Sequence, residues 1–293
     1  MSNFGYNILN KSQDILIDPL ARNLIKNVEW YQLENISNNN LDLYPVAEVG
    51  NGPTLLLLHG FDSSFLEFRR IVPLLKNDFR MIIPDLFGFG FCPRPKNIKY
   101  NSLSLMKHIK AVLKIVSKDS RVGIIGASMG GALALDIAKA IPKKITKVLL
   151  LSPAGLTGKP QKIPIPLNKL GVCFLSQSFV RKRLCRQAFA YPNKSVSVAE
   201  EEIASLHLKV DGWARSLAEF ARSGGLAGTA SPLPDLPVNV LWGENDRILS
   251  EKQKNECIEI FNDNFEEISD CGHLPHIDQP EEVFKKSVNF FNQ

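Results

Sequence analysis

Apolar and polar residues alternate in two rhythms from residue 54 to residue 151. Thr54–Leu58 and Phe79–Pro84 are short continuous apolar runs, the pattern of strands buried on both faces. Between them Ser64–Lys76 reads as a helix. Ser102–Ser117 sets Leu105, Ile109, Val112, Leu113 and Val116 at helical spacing. Val122–Ala127 is another apolar run, followed by small helix-compatible residues up to Pro142, and Val148–Leu151 reads as the next strand. Upstream, Val28–Leu33 and Leu41–Val49 read as two strands joined across the polar Asn38-Asn39-Asn40 turn, an antiparallel start to the sheet. Residues 1–26 are an N-terminal lead-in that the pattern leaves open between helix and loose order.

Strands alternating with helices predict an α/β fold with a mostly parallel sheet covered on both faces. The rhythm breaks at residue 154. From there to residue 232 the chain begins and ends in Pro/Gly-rich segments and reads as helical between them, with no convincing strand. It resumes with a strand at Val238–Trp242, a helix at Glu251–Phe261, a strand at Asn264–Ile268 and a final helix from Pro280. The expected organisation is a core of residues 27–153 and 233–293, interrupted by a helical cap at 154–232.

Composition narrows the class. A chain of 293 residues with 44% hydrophobic and 22% charged residues suits one sizeable α/β domain with an insertion. Its five cysteines are an odd number without a Cys-x-x-Cys pair, which argues against a disulfide framework or zinc site and for a reducing compartment. No signal-peptide pattern and no run of roughly 18 apolar residues is evident, so a soluble, cytoplasmic protein is expected. The net charge of +5 belongs to the insertion, where residues 155–232 carry eleven Lys and Arg against five Asp and Glu. Leu167–Ala190 mixes apolar residues with Arg181, Lys182, Arg183 and Arg186. A basic amphipathic helix of this kind can lie on an anionic membrane surface. The favoured alternative is a cap helix whose apolar face covers a site while its charges are solvated. No phosphate-binding Gly-Lys-Ser/Thr, metal cluster or dinucleotide fingerprint appears, so neither cofactor nor metal is expected. No nucleic-acid partner is expected, since no aromatic-basic reading surface can be argued. Oligomeric state is not legible.

The candidate chemistry centres on Gly126-Ala127-Ser128-Met129-Gly130. A strand, a sharp turn and a helix with serine at the turn fit a nucleophile elbow, where Gly126 and Gly130 let the backbone double back. In open α/β sheets, reacting residues lie beyond the carboxyl ends of strands. Asp246 follows the strand ending at Trp242, and His273 follows the last strand, giving the order Ser, Asp, His. His273 would take the proton of Ser128 and Asp246 would orient it. The backbone N–H groups of Met129 and Phe61 would complete an oxyanion hole.

These stretches resemble the α/β-hydrolase superfamily over nearly the whole chain outside the cap and the first residues. The resemblance rests on His59-Gly60-Phe61, Asp85 with Gly88 and Gly90, Gly126-Ala127-Ser128-Met129-Gly130-Gly131, Asp246 and Gly272-His273. The wording around Phe61, Trp242 and His273 is similar to a hydrolase group of plant chloroplasts and cyanobacteria. Ala127 stands where many relatives have His, and Cys92 where many have Ser. Ser128 argues against the epoxide- and halide-processing members, which use Asp.

Other candidates read as structural. His59 would shape the oxyanion loop and Asp85 would hold its own turn. His276 would pack or cap near the last helix, and His108 and His207 would be ordinary surface or packing residues. Glu244 and Asp270 would be solvated loop carboxylates, and Cys257 and Cys271 packing residues. The expected function is hydrolysis of a lipophilic carboxylic ester through an acyl-enzyme under an apolar pocket roof. The alternatives are triad-dependent cleavage of a carbon–carbon bond, elimination of an acid, and a non-catalytic binding protein on a hydrolase scaffold.

Overall fold

The computed structural model describes residues 4–34, 36, 42–117 and 120–292. The Asn38-Asn39-Asn40 turn lies outside them. Among the described residues eight strands form one sheet in the order β1-β2-β4-β3-β5-β6-β7-β8. They are β1 Val28–Gln32, β2 Leu43–Val49, β3 Thr54–Leu58, β4 Arg80–Pro84, β5 Val122–Ala127, β6 Ile145–Leu151, β7 Val238–Gly243 and β8 Phe265–Ile268. β2 runs antiparallel to both β1 and β4, and all the other pairs are parallel.

The five residues of β3 are all buried, because the sheet is covered twice. Leu56 and Leu58 belong to one core layer, with Leu105, Ile109, Leu133 and Ile137. Leu55 and Leu57 belong to the other, with Leu24, Phe65, Phe79 and Val283. This is the period-two consequence of an apolar strand between two layers.

The N-terminal lead-in is ordered as α1 Phe4–Ser12 and α2 Pro19–Ile25, with Leu9, Leu16 and Leu24 buried. Asp18 caps α2 by accepting from the Leu20 and Ala21 N–H groups. Its other oxygen accepts from Arg69 Nε at 2.7 Å. The helix expected over Ser64–Lys76 is replaced by a 3-10 turn, Phe65–Phe68, and one short helix, α3 Val72–Leu75. Pro73 accounts for the break, since its ring and missing N–H oppose a helix running through it.

α4 Ser102–Val116 starts at a reciprocal cap between Asn101 and Ser104. α5 Met129–Ala140 follows β5 directly. Between β6 and β7 the chain forms α6 Leu167–Leu175, α7 Ser178–Gln187, the single turn α8 Pro192–Ser195, α9 Val198–Leu206 and α10 Trp213–Ser223. The stretch expected as one basic amphipathic helix is thus two helices, broken at Ser176-Gln177. α11 Glu251–Phe261, the turn α12 Pro275–Asp278 and α13 Pro280–Asn292 complete the order. Among the described residues no helix is long and apolar enough to cross a membrane.

Candidate active site

Ser128 sits between β5 and α5 with φ +49° and ψ −117°, a conformation L residues rarely adopt. The neighbourhood enforces it. Ser128 N–H donates to the Leu151 carbonyl at 2.9 Å, and its own carbonyl accepts from Gly131 and Ala154. A Cβ at Gly130 would lie 2.1 Å from the Leu58 carbonyl oxygen, so only glycine lets α5 start this close to β3.

His273 Nδ1 lies 2.7 Å from Asp246 Oδ2, and its Nε2 lies 3.0 Å from Ser128 Oγ. An ionised carboxylate only accepts, so Nδ1 carries the proton and Nε2 is free to accept from the serine hydroxyl. Asp246 Oδ1 accepts from the Ile248 and Leu249 N–H groups at 2.8 and 3.1 Å, which fixes the carboxylate. The Asp246 and His273 side chains are 3% and 6% exposed, so little water competes for these bonds. The three residues nominated from the sequence therefore meet in one hydrogen-bonded line.

Residues 53–280 match the alpha/beta hydrolase fold family. The chain is an α/β hydrolase. It is 27% identical to the alpha/beta hydrolase domain-containing protein VTE7 of Arabidopsis thaliana, over 93% of this chain and 86% of that protein. It is 24% identical to the 2-hydroxy-6-oxo-6-(2'-aminophenyl)hexa-2,4-dienoic acid hydrolase of Metapseudomonas resinovorans, over 84% of this chain and 86% of that one. Among solved structures, the epoxide hydrolase CorEH shares the fold with a TM-score of 0.74 at 20% identity, over 90% of this chain and 98% of its own.

In this α/β hydrolase the loop after β3 is clamped from several sides. His59 Nε2 accepts from the Leu86 N–H at 3.0 Å, so its Nδ1–H donates to the Gly60 carbonyl at 2.8 Å. Burial pushes its pKa down to about 4, so the ring is neutral and shapes the loop. Gly60 N–H faces the Glu67 carboxylate at 3.2 and 3.3 Å. Behind Glu67 stands His276, fully buried, with Nε2 at 3.2 Å from Glu67 Oε1 and its ring against Phe68. Burial raises the Glu67 pKa, but its contacts with His276 and Ser63 hold it below the usual carboxylate range. Asp85 accepts from Phe65 N–H at 2.7 Å and Phe91 N–H at 2.6 Å, and burial raises its pKa to about 7. Phe61, half-exposed, has its ring against Phe89 and Phe220, the latter on α10. Its N–H finds no acceptor among the described residues, and Met129 N–H, first in α5, has none within its helix.

His207 departs from the sequence expectation of an ordinary surface or packing residue. It is buried, and its Nε2–H donates to Asp62 Oδ1 at 3.0 Å. Trp213 Nε1–H donates to the same oxygen at 2.8 Å, and Arg181 Nη1 to Asp62 Oδ2. Burial raises the Asp62 pKa, yet these partners outweigh it and hold the carboxyl below its ordinary value. Asp62 itself has φ +51°, directly after Phe61. Partners 119, 145 and 151 residues away leave no local trace, so this knot was invisible in the sequence.

A cavity of about 390 Å³ opens onto Ser128 and His273. Leu184, Ala188, Phe189 and Ile203 give it the apolar cover expected. Against that expectation, Arg69, Arg181 and Glu200 also line it, so the chamber has two characters. Arg69 is 3% exposed and bridges Asp18 and Glu200, tying the lead-in and the insertion to the core. Glu200 also accepts from Arg70 and caps α9 through Ser197; burial opposes its ionisation, but these contacts hold its pKa at about 2.

Proposed function

We propose that this α/β hydrolase cleaves carboxylic esters with an apolar acyl or alcohol part, through an acyl-enzyme on Ser128. The observation that carries the reading is the continuous line from Ser128 Oγ through His273 to Asp246, at 3.0 and 2.7 Å. Ser128 Oγ attacks the carbonyl carbon while its proton passes to His273 Nε2. Asp246 holds the opposite nitrogen and stabilises the imidazolium. The developing oxyanion faces the Met129 and Phe61 N–H groups, and the leaving alkoxide takes the proton back from His273. Water then repeats the sequence on the acyl-enzyme and releases the acid. Leu184, Phe189 and Ile203 over Ser128 suit the apolar part.

A fluorophosphonate probe is expected to label Ser128. Ser128→Ala should lose both the label and p-nitrophenyl ester turnover while keeping its melting temperature. Normal turnover by the folded variant refutes the reading. A second reading, hydrolysis of a carbon–carbon bond in a vinylogous diketone acid, is favoured by Arg69 and Arg181 on the cavity wall and by the activity that names the Metapseudomonas relative. Turnover of such a substrate far above any ester would put it first.

A further inference from the structure

The insertion presents two contiguous surfaces that the cavity does not use. On α6, Leu167, Leu170 and Phe174 share one face and are 58, 61 and 56% exposed, while Asn168 and Val172 on the other face are buried. Ile165, just before the helix, is 60% exposed. The row continues onto α7, where the ring of Phe179, 66% exposed, meets that of Phe174 at 6.2 Å. Large apolar side chains clustered in this way on a surface mark a contact site.

α7 divides its residues by helical spacing. Arg181, Leu184 and Cys185 line the cavity over Ser128, whereas Phe179, Lys182, Arg183 and Arg186 line a separate open groove of about 400 Å³. Arg247, from the loop after β7, closes that groove. Lys182 also pairs with Glu201 on α9 at 3.1 Å. Between residues 155 and 199 the chain carries eight Lys and Arg and no Asp or Glu. An apolar ridge beside a basic groove, with acid excluded from the stretch that builds both, matches a surface that is apolar below and anionic above.

We infer that the α6–α7 face docks on an anionic lipid bilayer. Leu167, Leu170, Phe174 and Phe179 enter the boundary between headgroups and acyl chains, and the groove of Lys182, Arg183, Arg186 and Arg247 receives the phosphates. The inner face of α7 roofs the cavity, so the bilayer lies one helix diameter from it. Docking needs none of the chemistry of Ser128: the inner side of α7 covers the cavity, while the apolar row of α6 faces outward.

The test is co-sedimentation with phosphatidylcholine vesicles, with and without phosphatidylglycerol, at low and high salt. Wild-type and Ser128→Ala protein should bind the anionic vesicles alike, and neutral vesicles or high salt should abolish most of the binding. The combined variant Lys182→Gln, Arg183→Gln, Arg186→Gln should lower the partition coefficient by about a hundredfold, at about fivefold per cation, without shifting the melting temperature. Leu170→Ser with Phe174→Ser should weaken binding on the same vesicles. Equal binding to neutral and anionic vesicles, or full binding by the triple variant, overturns the inference. So does light scattering that finds a wild-type dimer split by the Leu170/Phe174 pair, which would make the ridge an interface between copies of this chain. Loss of ester turnover in Ser128→Ala with intact vesicle binding separates this inference from the proposed chemistry.

Discussion

Removing the Asp62 carboxylate should damage both the fold and the turnover of the proposed esterase. Asp62 accepts from His207 and Trp213 and pairs with Arg181, whose side chain is 10% exposed against 5% for Asp62. Asp62→Ala leaves a buried guanidinium without its counter-charge and three donors without an acceptor. Breaking one side of a buried pair costs about 3–5 kcal/mol, which lowers the melting temperature of a chain this size by roughly 10 °C. Asp62→Asn keeps an oxygen for Trp213 and His207 and tolerates the left-handed backbone, so about half of that loss is expected. The kinetic effect follows from position. Asp62 adjoins Phe61, and a shift of about 1 Å in the Phe61 N–H should cost on the order of a hundredfold in kcat with little change in KM. The assay is kcat and KM on p-nitrophenyl butyrate beside a melting curve for each variant. An Asp62→Ala protein with wild-type kcat and a melting temperature within about 1 °C of the parent refutes the reasoning. A stability loss with wild-type kcat refutes the positioning half alone.

Three further outcomes are expected. Gly130→Ala should cost several kcal/mol (about 3 or more), or leave the protein insoluble, because its Cβ would stand 2.1 Å from the Leu58 oxygen and 2.7 Å from the His59 oxygen; a soluble variant with an unchanged urea midpoint contradicts this. Burial pushes the pKa of His59 down to about 4 and that of His108 to about 3. Below pH ~6.5 the unfolded chain binds these protons and the folded one does not, so stability should fall with pH until about 4 for His59 and about 3 for His108, by ~1.4 kcal/mol per unit for each. Among the described residues His108 has no hydrogen-bond partner for either ring nitrogen, so His108→Leu should raise stability at pH 7 by about 1–2 kcal/mol and flatten the acid slope in urea unfolding. An unchanged slope refutes it.

The sheet, the elbow and the order Ser128, Asp246, His273 were legible in the sequence because each depends on short-range signals. A five-residue apolar run has one way to sit between two layers, and glycines around a serine at a strand–helix junction set a turn wherever it occurs. The same local logic failed at Ser64–Lys76, where side chains and backbone N–H groups clamp the Gly60 loop and Pro73 breaks the periodicity. It also failed to separate the faces of α6 and α7. In helices of nine and ten residues, apolar side chains on two sides look like one amphipathic stretch until their neighbours are known.

What the sequence by itself determined is thus the architecture of the core and the identity of the three residues that meet at Ser128. Only the tertiary structure decided that His207, Trp213 and Arg181 close on Asp62, that Arg69 joins Asp18 to Glu200, and that one side of α7 roofs the cavity while the other faces outward. The physical reason is range. Hydrogen-bond partners more than a hundred residues apart are selected by how the insertion packs on the sheet, and that packing is a property of the assembled surfaces rather than of any local run of residues.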